Sequence, residues 1–247
     1  MLNEIKEHRS IRKYTDKQIP KDVMDSILNA AIRASNTGNM QVYSIVVTTD
    51  SKIKDELAPT HFNQPMVKNA PAILTFCADF NRFNKWCRQR NAEPGYDNFL
   101  SFLTAAIDAI IAAQNACIEA QANGLGICYL GTAIYNADKI IDILNLPKGV
   151  IPVTAVTIGY PAETPELTDR LPVKAVVHYE KYNDFTTEDI NKLYEEKEAR
   201  EDNKQFIEEN NKETLAQVFT DVRYPLANNE HFSEVLFGVL KKQGFLK

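Results

Sequence analysis

The sequence predicts a domain of the α+β or α/β kind, in which helices cover a sheet. Two observations carry that expectation. Stretches with apolar residues at helical spacing alternate with short runs rich in β-branched residues. One Ala-rich segment is also long and apolar around most of its circumference, as suits a helix through the centre of a fold or against a second subunit. At 247 residues, with 44% hydrophobic and 25% charged, the chain can bury a sizeable core. The length fits one large domain, or one domain with an appendage.

Taken in order, residues 20–34 read as a helix. Pro20 suits its first position, and Val23, Met24, Ile27, Leu28, Ala31 and Ile32 form an apolar stripe. A polar loop, 35–39, leads into a strand at 42–47, rich in Val and Ile. A short helix at 51–57 and a second strand at 72–77 follow. Residues 98–123 hold eight alanines and form the longest helix candidate. Asp97, Asp108 and Glu119 recur every 11 residues there, close to three turns, which places them on one face. Gly124 ends the segment as a C′ residue would. Then come a strand at 127–130, a helix near 137–144 and a strand at 153–158. From 187 to 213 ten acidic and five basic residues describe a solvated helical arm, and Phe232, Val235, Leu236, Val239 and Leu240 mark a terminal helix. The expected division is 1–180 as the main domain and 181–247 as the charged arm with that last helix.

Composition excludes several classes. With 28 Lys+Arg against 33 Asp+Glu the net charge is −5, so a strongly basic nucleic-acid-binding face is not expected. The first 15 residues are polar and lack the apolar core of a secretory signal. The apolar stretch 99–118 contains Asp108, Gln114 and Asn115, which argues against a membrane span. Cys77, Cys87, Cys117 and Cys128 lie 10, 30 and 11 apart, without CxxC or zinc spacing, and read as core residues of a reduced, cytoplasmic protein. The four histidines are scattered, so no metal site is expected.

Three constellations could carry chemistry. His8-Arg9-Ser10-Ile11-Arg12 concentrates cationic and hydroxyl donors that match phosphate oxygens. Surface pairing of the two arginines with Glu4, Glu7 or Asp16 would explain them equally well. Gly124, Gly126 and Gly131 fall within eight residues of a glycine-poor chain, before a strand rather than after one, so the dinucleotide fingerprint is absent. A helix cap and tight turn account for Gly124 and Gly126, while Gly131 suggests close approach of the backbone to something. The loop 35–41 could line a polar rim. No nucleophile or general base is assignable, as suits an enzyme whose cofactor carries the reaction.

The opening HRSIRKYTD resembles the start of the flavin-dependent nitroreductase family, in which an Arg-Ser-Ile/Val-Arg element holds the FMN phosphate and ribityl chain. Four further pieces follow in order: the polar loop ending in Gln41, His61-Phe-Asn-Gln64 ahead of 70–79, NGLGICYLG after the long helix, and Arg170-Leu-Pro after Gly159-Tyr-Pro. The likeness covers residues 1–180 and is nearest the large oxygen-insensitive NAD(P)H nitroreductases and flavin reductases.

The resemblance implies an α+β homodimer with a mixed, mainly antiparallel sheet flanked by helices and the long helix at the subunit interface. It implies that His8, Arg9, Ser10 and Arg12 bind the phosphate end of FMN, with Arg170 as a further cation and Gln64 on the ring or ribityl region. The backbone of Tyr129, Leu130, Gly131 and Thr132 would run along the flavin. Thr37, Gly38 and Asn39 would border the open face from the partner subunit.

NAD(P)H would deliver hydride to flavin N5 and be replaced by a nitroaromatic or quinone, a ping-pong cycle. Release of reduced flavin to other proteins, or a non-catalytic flavin sensor, are the other readings. The family often has Lys two positions before the arginine, where Thr168 stands, and the acidic segment after Thr187 offers little to a 2′-phosphate, so reduced NADPH preference is expected.

Overall fold

The computed structural model describes residues 1–247. The chain divides into two compact units, Met1–Glu166 with Phe232–Lys247, and Leu167–His231.

The first unit is built on a four-stranded sheet of order β1-β2-β4-β3. The strands are β1 (Tyr43–Thr48), β2 (Ala72–Asp79), β3 (Gly126–Leu130) and β4 (Val150–Gly159), all paired antiparallel. The only parallel pairing is an isolated bridge, Ser10 with Ile127 on the outer edge of β3. All eight residues of β2 are buried, because helices cover both faces of the sheet. On one face Leu74, Phe76, Val156 and Ile158 pack against α2 (Lys21–Ile32) and α6 (Phe99–Ala122). On the other, Ile73, Cys128, Leu130 and Ala155 meet α3 (Ser51–Leu57), α4 (Pro65–Asn69) and α7 (Ala137–Ile143). The short helices α1 (Asn3–Lys6) and α5 (Asn81–Arg88) complete this unit up to Glu166.

The expected helices and strands from α2 to α7 lie within two residues at each end, except that β4 begins three residues early at Val150. The charged arm is two helices rather than one, and α1, α4, α5 and the short helix Leu215–Gln217 were not expected. Pro20 is the N-cap of α2 rather than its first helical residue. Asn98 caps α6, its side chain accepting from Ser101 N at 3.0 Å. The far end of α6 closes as a Schellman turn: Leu125 N donates to Ala120 O (3.0 Å), Gly124 N donates to Gln121 O (2.9 Å), and Gly124 has φ +75°. Asp97 precedes the cap and so does not join the helix face of Asp108 and Glu119. Those two face inward, Glu119 accepting from Ser26 Oγ at 2.6 Å and Asp108 anchoring the polar loop described below.

The helix α6 is long and apolar enough to cross a membrane, yet 56% of its most apolar window is buried in this fold. Its other side carries Leu100, Leu103, Ile107, Ile110 and Ile111, all exposed at helical spacing.

The final helix α11 (Leu226–Gln243) brings the chain back to the first unit, where Val239, Leu240 and Phe245 join a core with Phe102, Ile141 and Ile151. The second unit holds α8 (Thr187–Ala199), α9 (Glu201–Glu209) and α10 (Leu215–Gln217). Thr186 and Asp189 form a capping box that starts α8. All five basic residues of the charged segment are ion-paired: Lys192 with Glu188, Lys197 with Asp169, Arg200 with Asp202, Lys204 with Glu201 and Lys212 with Asp221.

Candidate flavin site

The N-terminal segment runs along the free edge of β3. Ile11 N donates to Ile127 O (2.9 Å), and Thr15 N donates to Tyr160 O (2.9 Å). Gly126 makes this close approach possible, since a Cβ there would lie 2.6 Å from Ile11 Cγ1. The tight-turn account of Gly126 therefore gives way to a packing one: Gly126 lies in β3, and only Gly124 caps the helix. Tyr14 completes the attachment, its hydroxyl donating to Ile11 O at 2.7 Å. Burial pushes that phenol's pKa well up, so it stays protonated.

An extended segment alternates its side chains, and this one separates its two arginines. Ser10 and Arg12 lie beside the Cys128 thiol; burial raises that thiol's pKa and the Arg12 charge opposes the rise. Arg9 is engaged elsewhere, donating to Pro165 O (3.0 Å) and pairing with Glu7 (3.1 Å). It lines a cavity of about 380 Å³ with Ile11, Gln121 and Gly126. His8 also turns away, its Nδ1 lying 3.1 Å from Gln121 Oε1 on α6. Thus the pairing with Glu7 holds for Arg9, whereas Arg12 forms no ion pair.

Beyond Cys128, β3 runs into a 3₁₀ turn, Gly131–Ile134. Tyr129 packs its ring into the α6 core, and burial keeps its hydroxyl protonated. Leu130 is buried on the opposite face. Thr132 Oγ1 is held by His61 Nδ1 at 2.7 Å. Side chains therefore leave the front of this turn bare. Gly131 is exposed, has no unusual φ, and nothing lies within 4 Å of where its Cβ would be. Neither backbone strain nor packing within the chain calls for glycine there.

His61 belongs to the 3₁₀ turn Ala58–His61 and ties that loop to Gly131–Ile134, assisted by Asn136 Nδ2 donating to Thr60 O at 2.9 Å. The next two residues, Phe62 and Asn63, adopt left-handed φ of 56° and 54° and turn the chain into α4. Gln64 is the N-cap there, with Nε2 donating to His61 O at 3.1 Å. Phe62 packs edge-on against Tyr135 and Phe232.

Burial lowers the His61 pKa from 6.5 to about 4. The unfolded chain takes up this proton near pH 6.5 and the folded chain only near pH 4. Stability should therefore be full above pH 6.5 and fall as pH drops toward 4, by on the order of 3 kcal/mol. Urea denaturation of wild type and His61→Gln at pH 7 and 4.5 checks this. The variant should lose markedly less stability on acidification.

The structure thus brings Ser10, Arg12, the Tyr129–Thr132 backbone and the His61–Gln64 loop into one region at the β3 edge. Thr37, Gly38 and Asn39 form a separate 3₁₀ turn on α6. The buried Asp108 carboxylate holds it, accepting from Thr37 N at 3.0 and 3.1 Å and from Thr37 Oγ1 at 3.1 Å. Arg170 lies in the second unit, exposed, its guanidinium donating to Thr168 Oγ1 (2.6 Å) and Asp169 O (2.8 Å). Residue patterns did not single out His61 and Asp108 as anchors, although the 11-residue acidic spacing pointed at Asp108.

Residues 5–160 match the model of the Nitroreductase family. The chain belongs to that family. Among its nitroreductase relatives, an FMN reductase [NAD(P)H] of Bacillus subtilis is 33% identical over 99% of this chain and 97% of its own. An oxygen-insensitive NADPH nitroreductase of Salmonella typhimurium is 35% identical over 71% of each chain. Among solved structures, a Bacteroides fragilis protein superposes with a TM-score of 0.98 at 56% identity over the whole of both chains. The NfrA1 nitroreductase of Bacillus subtilis gives 0.86 at 30% identity, covering 98% of this chain and 97% of its own.

Proposed function

We propose that this nitroreductase-family chain is an FMN-dependent NAD(P)H oxidoreductase that reduces nitroaromatics and quinones. The bare backbone at Gly131 carries this reading: an exposed glycine with open space before it, on the same strand edge as Ser10 and Arg12. FMN needs such a site, with cations and hydroxyls for its phosphate and an unobstructed backbone for its flat ring. Arg12 supplies the charge-assisted phosphate contact, Ser10 a neutral donor, and Gln64 an amide at the ring or ribityl chain. His8, Arg9 and Arg170 belong to the phosphate end by resemblance to the family, and of these Arg9 would have to leave Glu7 to reach it.

When bound, FMN supplies the two-electron carrier between nicotinamide and acceptor. The chain positions it: His61 pins Thr132, while Tyr129 and Leu130 bury their side chains away from the ring face. A visible absorption spectrum before and after anaerobic NADH addition tests the proposal. A flavin spectrum that bleaches is expected; a colourless protein that fails to take up FMN overturns it. Release of reduced flavin is a second reading, favoured by the relatives named FMN reductases. Flavin retained through turnover in a gel-filtration assay would dismiss it.

We read the working unit as a cytoplasmic homodimer. The exposed apolar stripe of α6 supplies the interface, and Thr37, Gly38 and Asn39 border the partner's flavin. The four cysteines are free and buried, as suits a reducing compartment. For the donor, the ion-paired arm leaves no basic residue of 187–213 free for a 2′-phosphate. NADPH preference should be reduced or absent, and steady-state kcat/KM values with both donors check it; a large NADPH advantage overturns it.

A further inference from the structure

The turn Gly131–Ile134 is flanked by three aromatic rings that belong to none of the buried cores. Tyr135 follows the turn directly, its N donating to Thr132 O at 3.1 Å. Phe62 follows His61, whose Nδ1 holds Thr132 Oγ1. Phe232 reaches them from α11, stacked on Tyr135 at 4.8 Å and 13°. Phe62 meets both rings edge-on, at 6.3 and 5.8 Å.

Phe62 is the odd member. It stays 50% exposed although two rings brace it, so burial does not explain the cluster. Its φ of 56° lies in the left-handed region, where a bulky aromatic is an outlier. Asn63 shares that conformation at φ 54°, but asparagine tolerates it. Such backbone conformations persist where the surroundings enforce them, and they gather at ligand sites. Here the result is an apolar ring held in solvent next to a turn whose Gly131 faces open space.

We infer that Phe62, braced by Tyr135 and Phe232, selects flat, electron-poor rings as acceptors by stacking against them. The inference rests on the proposed flavin site at this turn. Aromatic faces are electron-rich, so a nitroaromatic or quinone gains from stacking on them as well as from leaving water. A compact, hydrated inorganic acceptor such as ferricyanide gains neither. The cluster therefore sets acceptor preference, while the flavin carries the electrons.

The test is steady-state kinetics of the flavin-loaded wild type, Phe62→Ala, Phe62→Leu and Phe62→Tyr, with whichever of NADH and NADPH bleaches the flavin. The readout is the ratio of kcat/KM for nitrobenzene or 1,4-benzoquinone to that for ferricyanide. In Phe62→Ala and Phe62→Leu this ratio should fall about tenfold, mainly through KM, and Phe62→Tyr should restore it. Leucine keeps apolar bulk without a ring, so a merely structural role would be rescued by it. An unchanged ratio in Phe62→Ala, or full rescue by leucine, overturns the inference and leaves the flavin site standing. So does a wild type whose flavin bleaches yet which reduces neither flat acceptor. A wild type without flavin that either donor bleaches removes the proposed function and this inference together.

Discussion

Gly131→Val should purify without flavin while remaining folded. The substitution meets nothing within the chain, because no atom lies within 4 Å of the added Cβ and the backbone φ is ordinary. A β-branched residue in a short exposed 3₁₀ turn costs at most about 1 kcal/mol of stability. The isopropyl group instead fills the open space in which the proposed site places the flavin ring. Urea denaturation of the apoprotein should match that of wild-type apoprotein, and the visible flavin bands should vanish. Arg12→Ala gives the graded counterpart: removing the proposed charge-assisted phosphate contact should cost roughly 1.5–3 kcal/mol, about 10- to 150-fold in FMN affinity. If Gly131→Val copurifies with full flavin, the ring does not lie on this turn.

Ile107→Glu should convert the proposed dimer to monomer. Ile107 is 50% exposed and sits mid-stripe between Leu103 and Ile110, which are 44% and 47% exposed. So much contiguous aliphatic surface on one helix face is a signature of a covered interface. In a two-fold dimer the same face meets itself, so each substitution counts twice. Losing about 2 kcal/mol of burial per subunit gives on the order of 4 kcal/mol, roughly a thousandfold in dissociation constant. Light scattering during size-exclusion chromatography reads the change directly. The same variant should lose flavin, since in the proposed dimer Thr37, Gly38 and Asn39 border the partner's site. A variant that remains dimeric, or wild type that runs as a monomer, would remove this interface from the reading.

Periodicity revealed the long helix, its C′ glycine and all four strands, because each has a local signature: an Ala-rich 3.6 repeat, a glycine at positive φ, or β-branched runs buried on both sides. The proposed phosphate-binding cluster was legible as a chemical composition, two arginines around a serine. What each member does was not. That Arg9 turns to Pro165 and Ser10 to β3 depends on which side of an extended segment faces the sheet edge, and that is set by partners more than a hundred residues away.

By itself the sequence determined the order of the four strands and the main helices between them, the absence of metal-ligand spacing, and the family likeness carried by five short motifs. Those are properties of near neighbours along the chain or of residue types in order. Only the tertiary structure decided why Gly126 is needed against Ile11 and why Gly131 is not needed by the chain at all. It alone paired His61 with Thr132, and Asp108 with the polar turn at Thr37. A glycine's purpose and a buried polar group's partner depend on what stands in front of them in space, and long-range packing brings those neighbours there.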